Sequence, residues 1–168
     1  RGRSDWGLVQ GVTQAEQVDG AWVRYFHAEG SPAEASEAQG WTTVLYHPLG
    51  CVVPAKNFLM SDSDLVEVLT EIDIQTPIPP VVQSLRTGRH FLFLGCRFNT
   101  QLDRIFARQI IKRSSDRHWA VLPDEPTRNE ARFLKECNIQ RLDVPAAEFA
   151  ALLIQPRAAR DQAKASAG

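Results

Sequence analysis

The residues with the most chemical promise lie in the stretch Arg89–Asn99, RHFLFLGCRFN. An apolar run, Phe91 to Leu94, stops at Gly95 and is followed by Cys96, Arg97 and a helical pattern from Thr100 to Arg113. This reads as a buried parallel strand turning into its crossover helix. Open α/β sheets bind ligands in the crevice beyond the carboxyl ends of such strands. Gly95 falls at that edge, where a missing side chain lets a ligand approach the backbone; a glycine demanded only by a tight turn is the competing reading. Arg104, Arg108 and Lys112 recur at helical spacing on the following helix. Such a row is ordinarily a solvated face, with phosphate binding as the sharper alternative.

The cysteines exclude several chemistries. Cys51, Cys96 and Cys137 are odd in number and widely spaced, which fits reduced thiols buried as small hydrophobes rather than a disulfide framework. No C-x-x-C pair is present, so no metal site is expected. The 168 residues suffice for one domain with a core. A net charge of −1 gives no field favouring nucleic acid or an anionic membrane. No apolar run approaches the roughly 18 residues of a membrane span, and no secretory signal opens the chain. These features point to a cytoplasmic location. The chain starts without methionine, with Met60 its only one, so a trimmed chain or a fragment is expected.

The elements that must position these residues follow from periodicity. Residues 1–40 are weakly patterned and read as a weakly ordered or partial segment, although Ala21–Phe26 could form a strand. Thr42–Tyr46 is a strand stopped by Pro48 and Gly50. Ser61 is a candidate N-cap, with Leu65, Val68, Leu69 and Ile72 on one stripe. A short helix over 81–87 precedes the Gly95 strand. The helix after Gly95 is expected to bury Leu102, Ile105, Phe106 and Ile110. His118–Leu122 is a strand, and Thr127 with Glu130 has capping-box spacing, so a helix should run to about Cys137. Residues 139–144 are the last strand, and Pro145 opens a helix with Phe149, Leu152 and Leu153 inward. The β-α-β-α-β-α order predicts an α/β fold, a Rossmann-like doubly wound parallel sheet that is incomplete at its amino terminus. The expected organisation is a partial segment over 1–40, an α/β domain over 41–155 and a disordered tail over 156–168.

The order of several short pieces from about residue 43 to 153 resembles the carboxyl-terminal half of a sirtuin-like domain, of the divergent bacterial branch that lacks the zinc module. Val44–Gly50 resembles the strand and turn carrying that family's His-Gly pair. Leu59–Leu65 resembles the acidic entry to its next helix. Phe91–Phe98 resembles its apolar strand and Gly-Tyr-Ser-Leu or Gly-Thr-Ser-Leu turn. Leu142-Asp143-Val144, before an amphipathic helix, resembles its adenine-side strand.

The resemblance implies a protein that binds NAD or a related nucleotide and cleaves the nicotinamide–ribose bond as a hydrolase or transferase. It implies that Gly95, Cys96 and Arg97 face the pyrophosphate or ribose and that Asp143 and Val144 flank the adenosine end. It leaves His47 as the available general base; His27, His90 and His118 are less attractive, the last two because they open strands at the opposite edge. Two departures stand out. Leu49 holds the position of the family's catalytic histidine, so His47 is either a displaced base or a structural residue at a strand end. Arg97 replaces a small serine with a rigid charged fork suited to phosphate or carboxylate. The family's Gly-Ala-Gly-x-Ser turn and Asn-x-Asp motif are absent, which implies that this stretch alone does not turn over the dinucleotide. A non-catalytic nucleotide-binding or protein-interaction module is the alternative, and an unrelated Rossmann-like domain a third.

Overall fold

The computed structural model describes residues 5–12, 22–58, 60–63, 66, 78–112 and 114–154. The chain divides into two compact units, Arg1–Thr87 and Gly88–Gly168.

In the first unit, β1 (Trp6–Gly11), β2 (Val23–His27), β3 (Pro32–Ala33) and β4 (Thr43–His47) form one sheet in the order β3-β2-β1-β4. β1 runs antiparallel to β2 and parallel to β4. β5 (Gly50–Cys51) and β6 (Asn57–Phe58) make a small antiparallel pair. α1 (Ala35–Ala38) and α2 (Pro80–Arg86) are the helices described there; α2 begins with proline at the position where a missing N–H is harmless. Val9, Ala38, Trp41 and Val81 form the buried cluster. Gly7 makes room for the indole: a Cβ there would sit 2.4 Å from the Trp41 ring. Residues 5–12 and 22–40, expected to be weakly ordered, thus contain three strands and a helix, with β1 at the centre of the sheet. The stripe Leu65–Ile72 and the tail 156–168 lie outside the described residues.

In the second unit, β7 (Leu92–Phe93), β8 (His118–Val121) and β9 (Ile139–Leu142) are parallel and lie in that order. α3 (Gln101–Ile111), α4 (Arg128–Glu136) and α5 (Ala146–Ile154) follow the three strands in turn. Thr100 caps α3, accepting the Asp103 N–H at 3.1 Å. Thr127 and Glu130 close the expected capping box on α4: the Thr127 N–H donates to Glu130 Oε2 at 2.8 Å, and the Glu130 N–H donates to Thr127 Oγ1 at 3.4 Å. The core is Phe98, Ala107, Ala120, Leu122, Phe133, Leu134 and Ile139.

The expected α/β class holds: the described residues form a mixed α/β architecture with parallel and antiparallel pairs and five helices, and the antiparallel β1–β2 pair makes the first sheet mixed. Two expectations are corrected. The strand before Gly95, expected to be buried, is the edge of its described sheet and only two residues long. An apolar run looks the same at either position, and Leu92 and Leu94 are exposed. Leu102, Ile105, Leu152 and Leu153 are also exposed. α3 buries its small Ala107 instead, so a residue of the right period is not buried unless a neighbour covers it.

Candidate functional site

Because β7, β8 and β9 are parallel, their carboxyl ends deliver three loops to one edge of the second unit. Gly95-Cys96-Arg97 follows β7, Pro123-Asp124-Glu125 follows β8, and Asp143-Val144 follows β9. The sheet therefore gathers all five predicted binding residues, Gly95, Cys96, Arg97, Asp143 and Val144, at one edge of a single unit. His47, the predicted base, ends β4 of the first unit.

Gly95 has φ +66, a left-handed conformation that disfavours a side chain, and a Cβ there would meet nothing within 4 Å. Its requirement for glycine is conformational, not a close approach by other parts of the chain. The open space also leaves its backbone accessible. Cys96 is half-buried against the core, and burial raises its thiol pKa, so it is held as the thiol.

Arg97 is already engaged. Nε donates to Glu130 Oε1 at 3.0 Å and Nη2 to Glu130 Oε2 at 3.4 Å, while Nη1 donates to Asp124 Oδ2 at 2.9 Å. Glu130 is completely buried; the Arg97 hydrogen bonds, with those of the capping box, outweigh burial and lower its pKa to about 2. Arg97 is thus in part a structural clamp, tying the β7–α3 turn to the first turn of α4.

Arg141, which sequence reasoning did not single out, is built in the same way. Nε donates to the Leu122 carbonyl at 2.9 Å and Nη2 to the Pro123 carbonyl at 3.2 Å. Nη1 donates to Glu125 Oε1 at 2.8 Å, and Asp143 Oδ1 lies 3.1 Å from Nη2. Asp143 is therefore an ion-pair partner as well as an exposed acceptor, and Val144 beside it is half-buried. The signal for Arg141 was available: an arginine two residues before Asp143, on the strand ending at this edge.

In the first unit, His47 is half-buried and pairs in register with Gln10 of β1. Gln10 is completely buried. Its Nε2 donates to the carbonyls of Cys51 at 2.7 Å and Asn57 at 3.0 Å, pinning the β5–β6 pair that follows His47. This residue was also missed; a glutamine directly after Leu8-Val9 and two residues before Val12 was the available sign. Leu49 is exposed.

A cavity of about 350 Å³ lies at the amino-terminal edge of the second sheet, lined by Ser114, Ser115, Asp116, His118 and Cys137 among others. His118 Nδ1 accepts the Phe91 N–H at 3.1 Å, so its proton resides on Nε2, which is 3.5 Å from Ser114 Oγ. A histidine in this tautomer is not a base for that serine. Among the described residues, no group of three or more His, Cys, Asp or Glu is arranged to hold a metal ion, and no helix is long and apolar enough to cross a membrane.

The family model of the SIR2-like domain matches residues 12–142. The chain belongs to the SIR2-like domain family. The match runs from the residue after β1 to the last residue of β9, beginning well before the stretch whose motifs resemble sirtuins. No curated protein and no solved structure matches the chain significantly.

Proposed function

We propose that this chain binds NAD at the carboxyl edge of β7-β8-β9 and belongs to a protein that cleaves the nicotinamide–ribose bond, by hydrolysis or by transfer. The observation that carries this reading is the convergence of Gly95, Arg97, Asp143 and Val144 on one parallel-sheet edge, in a member of the SIR2-like family. The residues fit a nucleotide in two respects. Gly95 leaves its backbone open to a ligand. The exposed Asp143 carboxylate offers acceptors for ribose hydroxyls.

In the reaction, the bond to nicotinamide breaks toward an oxocarbenium-like ribose. Nicotinamide leaves with the bonding electron pair, and water or another acceptor attacks the sugar carbon. The work of the Gly95–Arg97 turn is to hold the dinucleotide so that the bond is presented for cleavage. The resemblance of Val44–Gly50 to the family's strand and turn is what assigns His47 the role of proton acceptor for a ribose hydroxyl or the attacking water.

A non-catalytic nucleotide-binding module is the second reading, favoured by Leu49 at the family's histidine position. Calorimetric titration with NAD, paired with a nicotinamide-release assay of the complete protein, separates the two. Binding with turnover supports the enzyme, binding without turnover selects the module, and no binding overturns both.

A further inference from the structure

The two arginines at the carboxyl edge share a design. Each has an inner partner that holds it in place and an outer carboxylate open to solvent. For Arg97 the inner partner is the buried Glu130 and the outer one is Asp124, whose side chain is 75% exposed. For Arg141 the inner partners are the Leu122 and Pro123 carbonyls, and Glu125, 85% exposed, is the outer one. Asp124 and Glu125 are consecutive, so a single loop between Pro123 and Pro126 places one carboxylate on each guanidinium.

We propose that the Asp124–Glu125 pair is an internal plug: it occupies the outer faces of Arg97 and Arg141, which together form a binding site for a diphosphate group. A ligand with two linked anionic groups displaces both carboxylates at once, and the inner partners keep the two forks aimed at it. Displacement is cheap because exposed ion pairs are weak and solvent-screened. It also needs only side-chain rotation, since the Leu122 and Pro123 carbonyls stay on Arg141. Asp143 remains beside Arg141 Nη2 and leaves Nη1 to the ligand. The plug accounts for an edge that carries four carboxylates, Asp124, Glu125, Glu130 and Asp143, against two guanidiniums. With the plug in place the edge repels phosphate; with it displaced, two of those charges move away. That the diphosphate is part of a dinucleotide rests on the proposed function; the site itself does not.

The test is calorimetric titration of inorganic pyrophosphate into the full chain at low salt, comparing the unaltered protein with Asp124→Asn/Glu125→Gln. A control, Glu29→Gln/Glu148→Gln, removes the same charge elsewhere. The plug predicts about fourfold or more tighter binding in the neutralised variant, from two exposed pairs worth about twofold or more each, and a smaller gain in the control. Each single neutralisation gives part of the gain, and the Arg97 and Arg141 Nε–H resonances shift on pyrophosphate addition. Unchanged affinity, an equal gain in the control, or no pyrophosphate binding by any of these proteins overturns the proposal. If pyrophosphate binds as predicted but NAD does not, the plug stands and the NAD reading falls. If NAD binds and pyrophosphate affinity ignores the plug, the reverse holds.

Discussion

Arg97 Nε lies 3.0 Å from Glu130 Oε1 although 33 residues separate them in the chain. The carboxylate that receives this bond also closes the capping box of α4, so one buried side chain both starts a helix and holds the turn after β7.

Glu130 should therefore be a stability determinant of the second unit. Glu130→Ala removes the carboxylate half of the capping box, leaving the Thr127 cap, and deprives Arg97 of its inner partner, a loss of about 2 kcal/mol or more. The folded pKa of about 2 lies below the ordinary 4.5, so the contribution is complete above about pH 4.5 and fades as the pH falls toward 2. Urea unfolding between pH 5 and 2.5 should show a shallower pH dependence for Glu130→Gln than for the unaltered protein. Identical slopes would remove Glu130 from this role.

His118 adds a loss of stability on acidification in the same direction, at higher pH. It is buried and accepts the Phe91 N–H, and burial, helped by neighbouring His90, lowers its pKa below the ordinary 6.5; a hydrogen bond with the Ser115 backbone and, less, the Asp116 charge oppose the shift. The unfolded chain then takes up the proton first on acidification, so stability is complete above about pH 6.5 and declines below it. Unfolding free energies at pH 7.5 and 5.5 should differ less in His118→Asn, whose Oδ1 can accept the same N–H without titrating. An undiminished difference would place the pH sensitivity elsewhere.

Substitutions at Gly95 should obey backbone conformation rather than size. With φ at +66 and nothing within 4 Å of a Cβ, Gly95→Ala should cost about 1–2 kcal/mol. Gly95→Asn should cost less, because asparagine tolerates this region. Thermal unfolding of the pair checks the order; equal losses for both would point to a steric cause.

Gln10 should be intolerant of reversed polarity. Its Nε2 donates to two carbonyls, those of Cys51 and Asn57. Gln10→Glu presents an acceptor to both and should destabilise the first unit by about 1–3 kcal/mol or more. Hydrogen exchange over residues 50–58 should rise with the loss, whereas unchanged protection there would mean that the glutamine does not pin β5–β6.

His47→Ala tests the proposed base. In the complete protein, nicotinamide release should fall by about 10²–10⁴-fold while NAD affinity is retained. Near-normal turnover would assign His47 a structural role at the end of β4.

What the sequence by itself determined is local. Strand β4, the short helix after Pro80, the Thr127–Glu130 capping box and the β-α-β-α-β-α order of residues 92–154 were all legible. Each depends on residues a few positions apart, whose periodicity and side-chain reach are set by the backbone. The motif order from 43 to 153 likewise pointed to the family that the match over 12–142 establishes. Tertiary structure alone decided which elements lie side by side. Among the described residues it made the apolar Gly95 strand an edge, left Leu102 and Leu152 exposed, and set β1, unnoticed in the sequence, in the interior of its sheet. It also turned Arg97 from a free fork into a clamp shared by Glu130 and Asp124, and brought Arg141 to the same edge. Burial and charge pairing depend on what a face meets in space, and the partners of Arg97 lie 27 and 33 residues away along the chain, far beyond the reach of any local pattern.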